Sequence, residues 1–528
     1  MAALPEPTGP YSVSTFTIEI PVAKPRTFLA DKYAHRTKST QDTRPAFQLR
    51  TVAVTLYYPT NPSPTGSGRI NGQTWLPAPR FKSLTGLLKY ASLSSWWAYP
   101  IFVPAWWTGL WGARLPTSQA QPLASRDGYS DKRWPTAVFS PGLAGTATTY
   151  SVYCSRVASH GVVVAALDHR DGTSPSSLVH LPVDNGQKVA KTEEVVYTRE
   201  EEITHSPDDE DDEKTQDQKW HFRRTRLAFR RSELSEAVKV LDRINMGQGK
   251  DVLAESTRQV TDAEKQAYFG PARLPEWAER LDLGQDASRQ EPCLIGLGHS
   301  FGAATLMSCL DPQLAPVDGL EEDTQRLGAA VEDEQRRLAG PAFRQVVLLD
   351  PWVEPLALPT ATSASRSAVP PFCAIVSQGF ALWVGHFSNL EIIASSLFKR
   401  QRPNQSTRSW MATLSGSRHT DFSDFPWILP HFFARHLTKT SYRVSDFMDI
   451  FETLTLRAIF GDGDGEGDEA QATARSNRAR LHGMDKRWEK PGEIDSKDLG
   501  PPGVLIRHPL PARHDGVTAN LGEVRAGL

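Results

Sequence analysis

Cysteine is scarce in this sequence: 528 residues contain four, Cys154, Cys293, Cys309 and Cys373. None forms a CxxC pair, which excludes a zinc ribbon or a dithiol redox motif. Each sits in an apolar stretch, where a thiol behaves as a small hydrophobe, so no disulfide framework is expected. A charge bias is also missing. Lys and Arg total 59 against 61 Asp and Glu, a formal net charge of −2, which gives no reason to expect a nucleic acid as partner. The opening residues, MAALPEPTGPYSVST, have neither a basic n-region nor an apolar h-region. They do not read as a secretory signal, and the expected compartment is cytoplasmic. There is no HExxH, and DGDGEGD at 462–468 fails as a calcium loop because Thr473 stands where a bidentate Glu is needed. No metal or cofactor is expected. There is no internal repeat.

Short, nearly all-apolar runs are present instead. FQLRTVAVTLYY at 47–58 is β-branched and aromatic. TAVFS at 136–140, GVVVAALD at 161–168, CLIGLG at 293–298, QVVLLD at 345–350, FCAIVS at 372–377 and WMATLS at 410–415 follow. Runs of this length suit strands covered on both faces. Helical segments fall between them, at 147–160, 220–243, 302–310 and 388–400, the second with Leu227, Leu234, Val238 and Leu241 at helical spacing. Strands alternating with helices predict an α/β fold with a mostly parallel, doubly wound sheet and helices on both faces. The expected domain runs over 47–460, after an N-terminal extension at 1–46. It carries a polar insertion at 186–219 that includes DDEDDEK at 208–214. Residues 461–528, rich in Gly, Pro and charge, read as a disordered tail.

One block differs from the rest. YASLSSWWAYPIFVPAWWTGLWGA at 90–113 has no charged residue and carries Trp96, Trp97, Trp106, Trp107 and Trp111. Pro100 and Pro104 argue against a regular spanning helix. The aromatic content instead suits peripheral contact with a membrane surface. Packing of these rings against the sheet is the alternative.

The strongest chemical signal is Gly298-His299-Ser300-Phe301-Gly302, with an apolar strand before it and the helical AATLMSCL after it. In that context G-x-S-x-G reads as the strand–turn–helix corner of an α/β-hydrolase, with Ser300 as nucleophile. A serine hydroxyl needs a base to take its proton and an acid to orient that base, and here both follow it in the chain. Asp350 ends an apolar strand. Asp168 precedes the serine, and Asp311 lies at the end of the nucleophile helix. His419 opens a loop after the strand WMATLSGS and is favoured as the base, with His386 as its rival. The developing oxyanion needs backbone N–H donors. Phe301, next to the nucleophile, supplies one, and the Gly-rich loop SPGLAG at 140–145 is placed to supply the other.

Taken together, FSPGLAG at 139–145, ASHGVVVAALDHRDG at 158–172, GHSFGAAT at 298–305, LLDPW at 348–352 and HTDFSDF at 419–425 resemble, in order, the blocks of the platelet-activating factor acetylhydrolase family. The resemblance implies Ser300 as nucleophile, Asp350 as orienting acid and His419, not His386, as base. It implies the N–H groups of Leu143 and Phe301 as the oxyanion hole. It also implies a phospholipid substrate that loses a short sn-2 acyl chain without a metal. Pro141, Ala303, Asp168 and Pro351 depart from the family pattern, and none of them is in the triad. A general carboxylesterase, or an idle hydrolase fold that binds membranes, are the competing expectations.

Overall fold

The computed structural model describes residues 4–30, 32–35, 44–61, 73–92, 110–126, 132–181, 191–204, 216–258, 274–284, 291–318, 338–359, 368–402, 408–428, 444–461, 485–487 and 505–508. Nine of the main sheet's twelve strands among the described residues frame the site: β1 (Ser12–Thr27), β2 (Gln48–Thr60), β3 (Trp134–Ser140), β4 (Val163–Leu167), β5 (Ile295–His299), β6 (Gln345–Leu349), β7 (Phe372–Ser377), β8 (Trp410–Leu414) and β9 (Leu505–His508). Their order across the sheet is β1-β2-β4-β3-β5-β6-β7-β8-β9. From β4 to β8 every neighbouring pair is parallel, whereas β1, β2 and β9 add antiparallel partners at the two sides.

Side chains alternate across the sheet, so each strand feeds two cores. Val346 and Leu348 of β6 join one cluster with α2 (Gln216–Arg243), α3 (Phe301–Leu310) and α4 (Val384–Lys399). Val347 and Leu349 join the other, beneath α1 (Ser151–Ser159) and α5 (Val444–Phe460). This double cover explains why the central strands read as unbroken apolar runs. Because strands β3 to β8 run parallel, their C-terminal ends all open on one edge, and the loops that follow meet there.

The structure departs from the sequence reading at three places. Ser12–Thr27, inside the expected N-terminal extension, is a long strand paired with β2. Its period-two pattern of Phe16, Ile18, Ile20 and Val22, all buried, is the signal for it. In the expected polar insertion, Lys191–Val196 pairs with Ser176–Leu181 as a hairpin, and α2 begins at Gln216; the acidic run 208–214 lies outside the described residues. In the expected tail, Leu505–His508 forms β9 against β8, with Leu505 and Ile506 buried. Four residues are too few for periodicity to stand out in a polar surround. Of the aromatic block, Trp96, Trp97, Trp106 and Trp107 lie outside the described residues. No helix among the described residues is long and apolar enough to cross a membrane.

His508 fixes β9 by packing rather than by charge. Its Nε2 bonds to Thr413 Oγ1 at 2.7 Å, its ring lies 4.9 Å from that of Phe387, and burial pushes its imidazole down to about 4. The unfolded chain therefore takes up a proton near pH 6.5 that the folded one refuses until about 4, so stability is lost as pH falls between those values. The difference is on the order of 3 kcal/mol. Melting temperatures recorded from pH 7 to pH 4 should fall less steeply in His508→Gln than in the unmodified protein. Parallel profiles would contradict this account.

Candidate active site

Ser300 ends β5 and begins α3 with no residue to spare. Its backbone sits at φ 56° and ψ −120°, a region L-residues rarely occupy. The surrounding chain enforces this: Ser300 N–H donates to Leu349 O at 2.9 Å, and Trp352 N–H donates to Ser300 O at 3.2 Å. Glycine is required on either side. A Cβ at Gly302 would lie 1.9 Å from Ser140 O, and one at Gly298 would lie 2.8 Å from Gly302 O. Hence the pentapeptide spacing: the helix must start hard against the end of β3.

The three side chains expected to act together do meet. His419 Nε2 lies 2.9 Å from Ser300 Oγ, and His419 Nδ1 lies 2.7 Å from Asp350 Oδ2. Asp350 is fully buried, and its other oxygen accepts the Ser377 N–H at 2.7 Å. One carboxylate oxygen is thus held by the end of β7 while the other faces the imidazole. The His419 ring is flanked by Phe380, stacked at 4.3 Å, and by His299 at 4.6 Å. Its side chain keeps 34% of its surface exposed, which leaves a way in from solvent.

The rivals have other duties. His386 is buried, its Nε2 accepts the Val353 N–H at 3.2 Å, and its ring stacks on Trp383. Burial pushes it down to about 4, so it serves as a neutral acceptor. Asp168 accepts the Ala147 N–H at 2.8 Å. Asp311 pairs with Arg400 and accepts from Gln313 N. His299, Asp350 and His419 are the one group of three among the described residues whose donor atoms, each able to ligate a metal, lie within 4.8 Å of one another. In that group His419 bonds to Asp350 and Ser300, and His299 Nδ1 bonds to the Tyr150 hydroxyl at 2.8 Å.

The loop 140–145 passes beside the serine, and Gly142 gives it room, since a Cβ there would come within 3.0 Å of Ser300 Cβ. Most of its backbone donors are taken. Gly142 N–H donates to Tyr150 Oη, Ala144 N–H to Thr173 O and Gly145 N–H to Gly142 O. The Leu143 N–H has no acceptor among the described residues. The Phe301 N–H, first in α3, is one of the donors a helix leaves unmatched.

Sequence reasoning missed the buried polar groups around this loop. Asp424 is the second acid of HTDFSDF. It accepts from Ser151 N (2.9 Å), Ser151 Oγ (2.6 Å), Val152 N (3.0 Å) and Trp75 Nε1 (2.9 Å). It therefore ties the His419 loop to the start of α1, as an N-terminal cap on that helix. Burial pushes it up to about 7, although all four donors pull the other way. Arg230 and Glu233 were also missed; both lie within α2 and are fully buried. The available hint was the breadth of that helix's apolar cover: Leu227, Ala228, Phe229, Leu234 and Ala237 are all buried, too wide a stripe for one exposed polar face.

The chain as a whole is similar to known proteins. A family model described as platelet-activating factor acetylhydrolase, isoform II, matches residues 2–458. A Schizosaccharomyces pombe protein named "Putative phospholipase A2" is 24% identical over 446 residues, 82% of this chain and 86% of that one. The platelet-activating factor acetylhydrolase of Canis lupus familiaris is 25% identical over 295 residues, 56% of this chain and 49% of its own length. That of Gallus gallus is 24% identical over 302 residues, 56% of this chain and 54% of its own length. The chain thus matches most of the yeast protein and about half of each vertebrate one.

Proposed function

The chain belongs to the platelet-activating factor acetylhydrolase, isoform II, family, and from that premise we propose that it is a carboxylic ester hydrolase acting on lipids, removing a short acyl group from the sn-2 position of a phospholipid. The observation that carries this reading is the unbroken hydrogen-bond line Ser300–His419–Asp350 with two unmatched backbone N–H groups beside it. His419 takes the Ser300 proton as Oγ attacks the ester carbonyl. The Leu143 and Phe301 N–H groups hold the resulting oxyanion. His419 then returns the proton to the leaving lyso-phospholipid oxygen, which leaves an acyl-serine. Water, deprotonated by His419, clears that ester and restores the hydroxyl. Throughout, Asp350 keeps the ring in the tautomer that presents Nε2 to the serine.

The test is a fluorophosphonate probe followed by a side-by-side assay of 2-acetyl and long-chain phospholipids. Labelling of Ser300 with faster turnover of the acetyl lipid is the expected result. Brisk hydrolysis of soluble esters with neither lipid cleaved would make it a general carboxylesterase instead.

The block 90–113 is proposed as the part that meets the lipid surface. Replacing Trp106 and Trp107 by Ser should cut binding to phosphatidylcholine vesicles several-fold while melting temperature and soluble-ester turnover hold. A collapse in melting temperature with no specific binding defect would mean that the rings are core.

A further inference from the structure

Directly beneath the loop 140–145 lies a second serine–histidine–carboxylate line, sealed from solvent. Ser140 Oγ is 2.9 Å from His169 Nε2, and His169 Nδ1 is 2.5 Å from Glu233 Oε2. All three residues are essentially unexposed, so no substrate reaches this serine. Glu233 Oε1 also accepts the Arg170 N–H at 3.0 Å. Burial and the Arg230 charge hold His169 well below its usual range. The ring is therefore neutral, with one donor and one acceptor to pass the bond along. Three residues earlier on the same face of α2, Arg230 reaches the next peptide. Its Nη1 donates to Pro141 O at 2.7 Å, while Nε donates to Asp171 Oδ2 at 2.8 Å and Nη2 bonds to Thr173 Oγ1. Its guanidinium also lies 4.7 Å over the Phe301 ring.

Placing these polar groups in a dry interior is costly unless each is paired, and apolar packing would fill the same space. What the groups share is their endpoint. Ser140 Oγ and Pro141 O are fixed from α2, and Ala144 N–H is fixed by Thr173, which Arg230 and Asp171 hold. The peptide whose N–H is left unmatched, that of Leu143, lies between these anchors.

We propose that Arg230 and Glu233 are positioning residues, which act through Pro141 and through His169–Ser140 to aim the Leu143 N–H at the developing oxyanion. The inference rests on the reading of Ser300 and this loop given above. Because an oxyanion donor tightens only in the transition state, loosening it should lower kcat and leave KM alone.

The experiment uses the full chain with a soluble acetate ester, and kcat is normalised to active sites titrated by the acylation burst. Ser140→Ala and Arg230→Lys each disturb the brace with little loss of volume or charge, and should lower kcat about 10- to 100-fold with KM within twofold. Glu233→Gln can give its carbonyl to the Arg170 N–H and its NH2 to His169 Nδ1, so the ring still bonds to Ser140 with the direction of the line reversed, and this variant should recover most of the activity that Glu233→Leu loses. Wild-type kcat per titrated site in Ser140→Ala and Arg230→Lys would overturn the proposal, as would equal losses in the two Glu233 variants. Ser300→Ala is run alongside. If that variant still turns over, the site reading itself has failed; if it is dead while the brace variants are normal, only this inference has.

Discussion

Ser300→Ala should lose ester hydrolysis by roughly 10⁴- to 10⁶-fold and no longer take a fluorophosphonate label, while its melting temperature stays close to that of the parent. The large effect follows from chemistry: without Oγ there is no nucleophile for His419 to activate. What remains is binding and the oxyanion donors acting on water. The small effect on stability follows from geometry. Alanine keeps the Cβ, so the positive φ at this corner is no worse tolerated, and the interaction lost is one hydrogen bond, that to His419. That is worth about 1 kcal/mol. Turnover near the parent rate in a folded Ser300→Ala would remove Ser300 from the mechanism.

The second large effect concerns the two groups behind the serine. His419→Ala should fall by a factor similar to that of Ser300→Ala. Asp350→Asn should fall by about 10⁴, for a reason visible in its contacts. Asp350 Oδ1 accepts the Ser377 N–H, so an asparagine must place its carbonyl oxygen there and turn its NH2 toward His419 Nδ1. The imidazole then carries its proton on Nε2, facing Ser300, and can no longer accept one. His386→Ala should act differently. It removes the acceptor for Val353 N–H and leaves a hole beside Phe380, which costs stability on the order of 1–3 kcal/mol. Its kcat should stay within about tenfold of the parent, since the Ser300–His419 bond is untouched. Purified variants assayed with one soluble ester decide the matter. An inactive His386→Ala beside an active His419→Ala would reverse the assignment.

Much of the frame was legible in the sequence because its signals are local. An apolar run feeding G-H-S-F-G and then a helix requires only about fifteen residues of context, and the strands ending at Asp350 and before His419 are equally local patterns. What escaped notice is non-local. The partnership of Ser140 with His169 and Glu233 joins residues 29 and 64 positions apart, and no spacing rule links them. Asp424 was visible as part of a motif, but its task, capping α1, depends on a helix 273 residues earlier. The strand Ser12–Thr27 is a different kind of miss, because its alternation is plain in the sequence and only its place in an expected extension concealed it.

The position of β9 bears on how this protein must be handled. The family match stops at residue 458, yet Leu505–His508 lies beyond it and pairs with β8 along the side of the sheet. A version trimmed to the matched region would keep its triad but leave Trp410–Leu414 as an open edge, with a row of unsatisfied N–H and C=O groups. Such an edge invites strands from other molecules. Self-association and precipitation, rather than loss of catalysis, are therefore the defect to look for in a shortened chain.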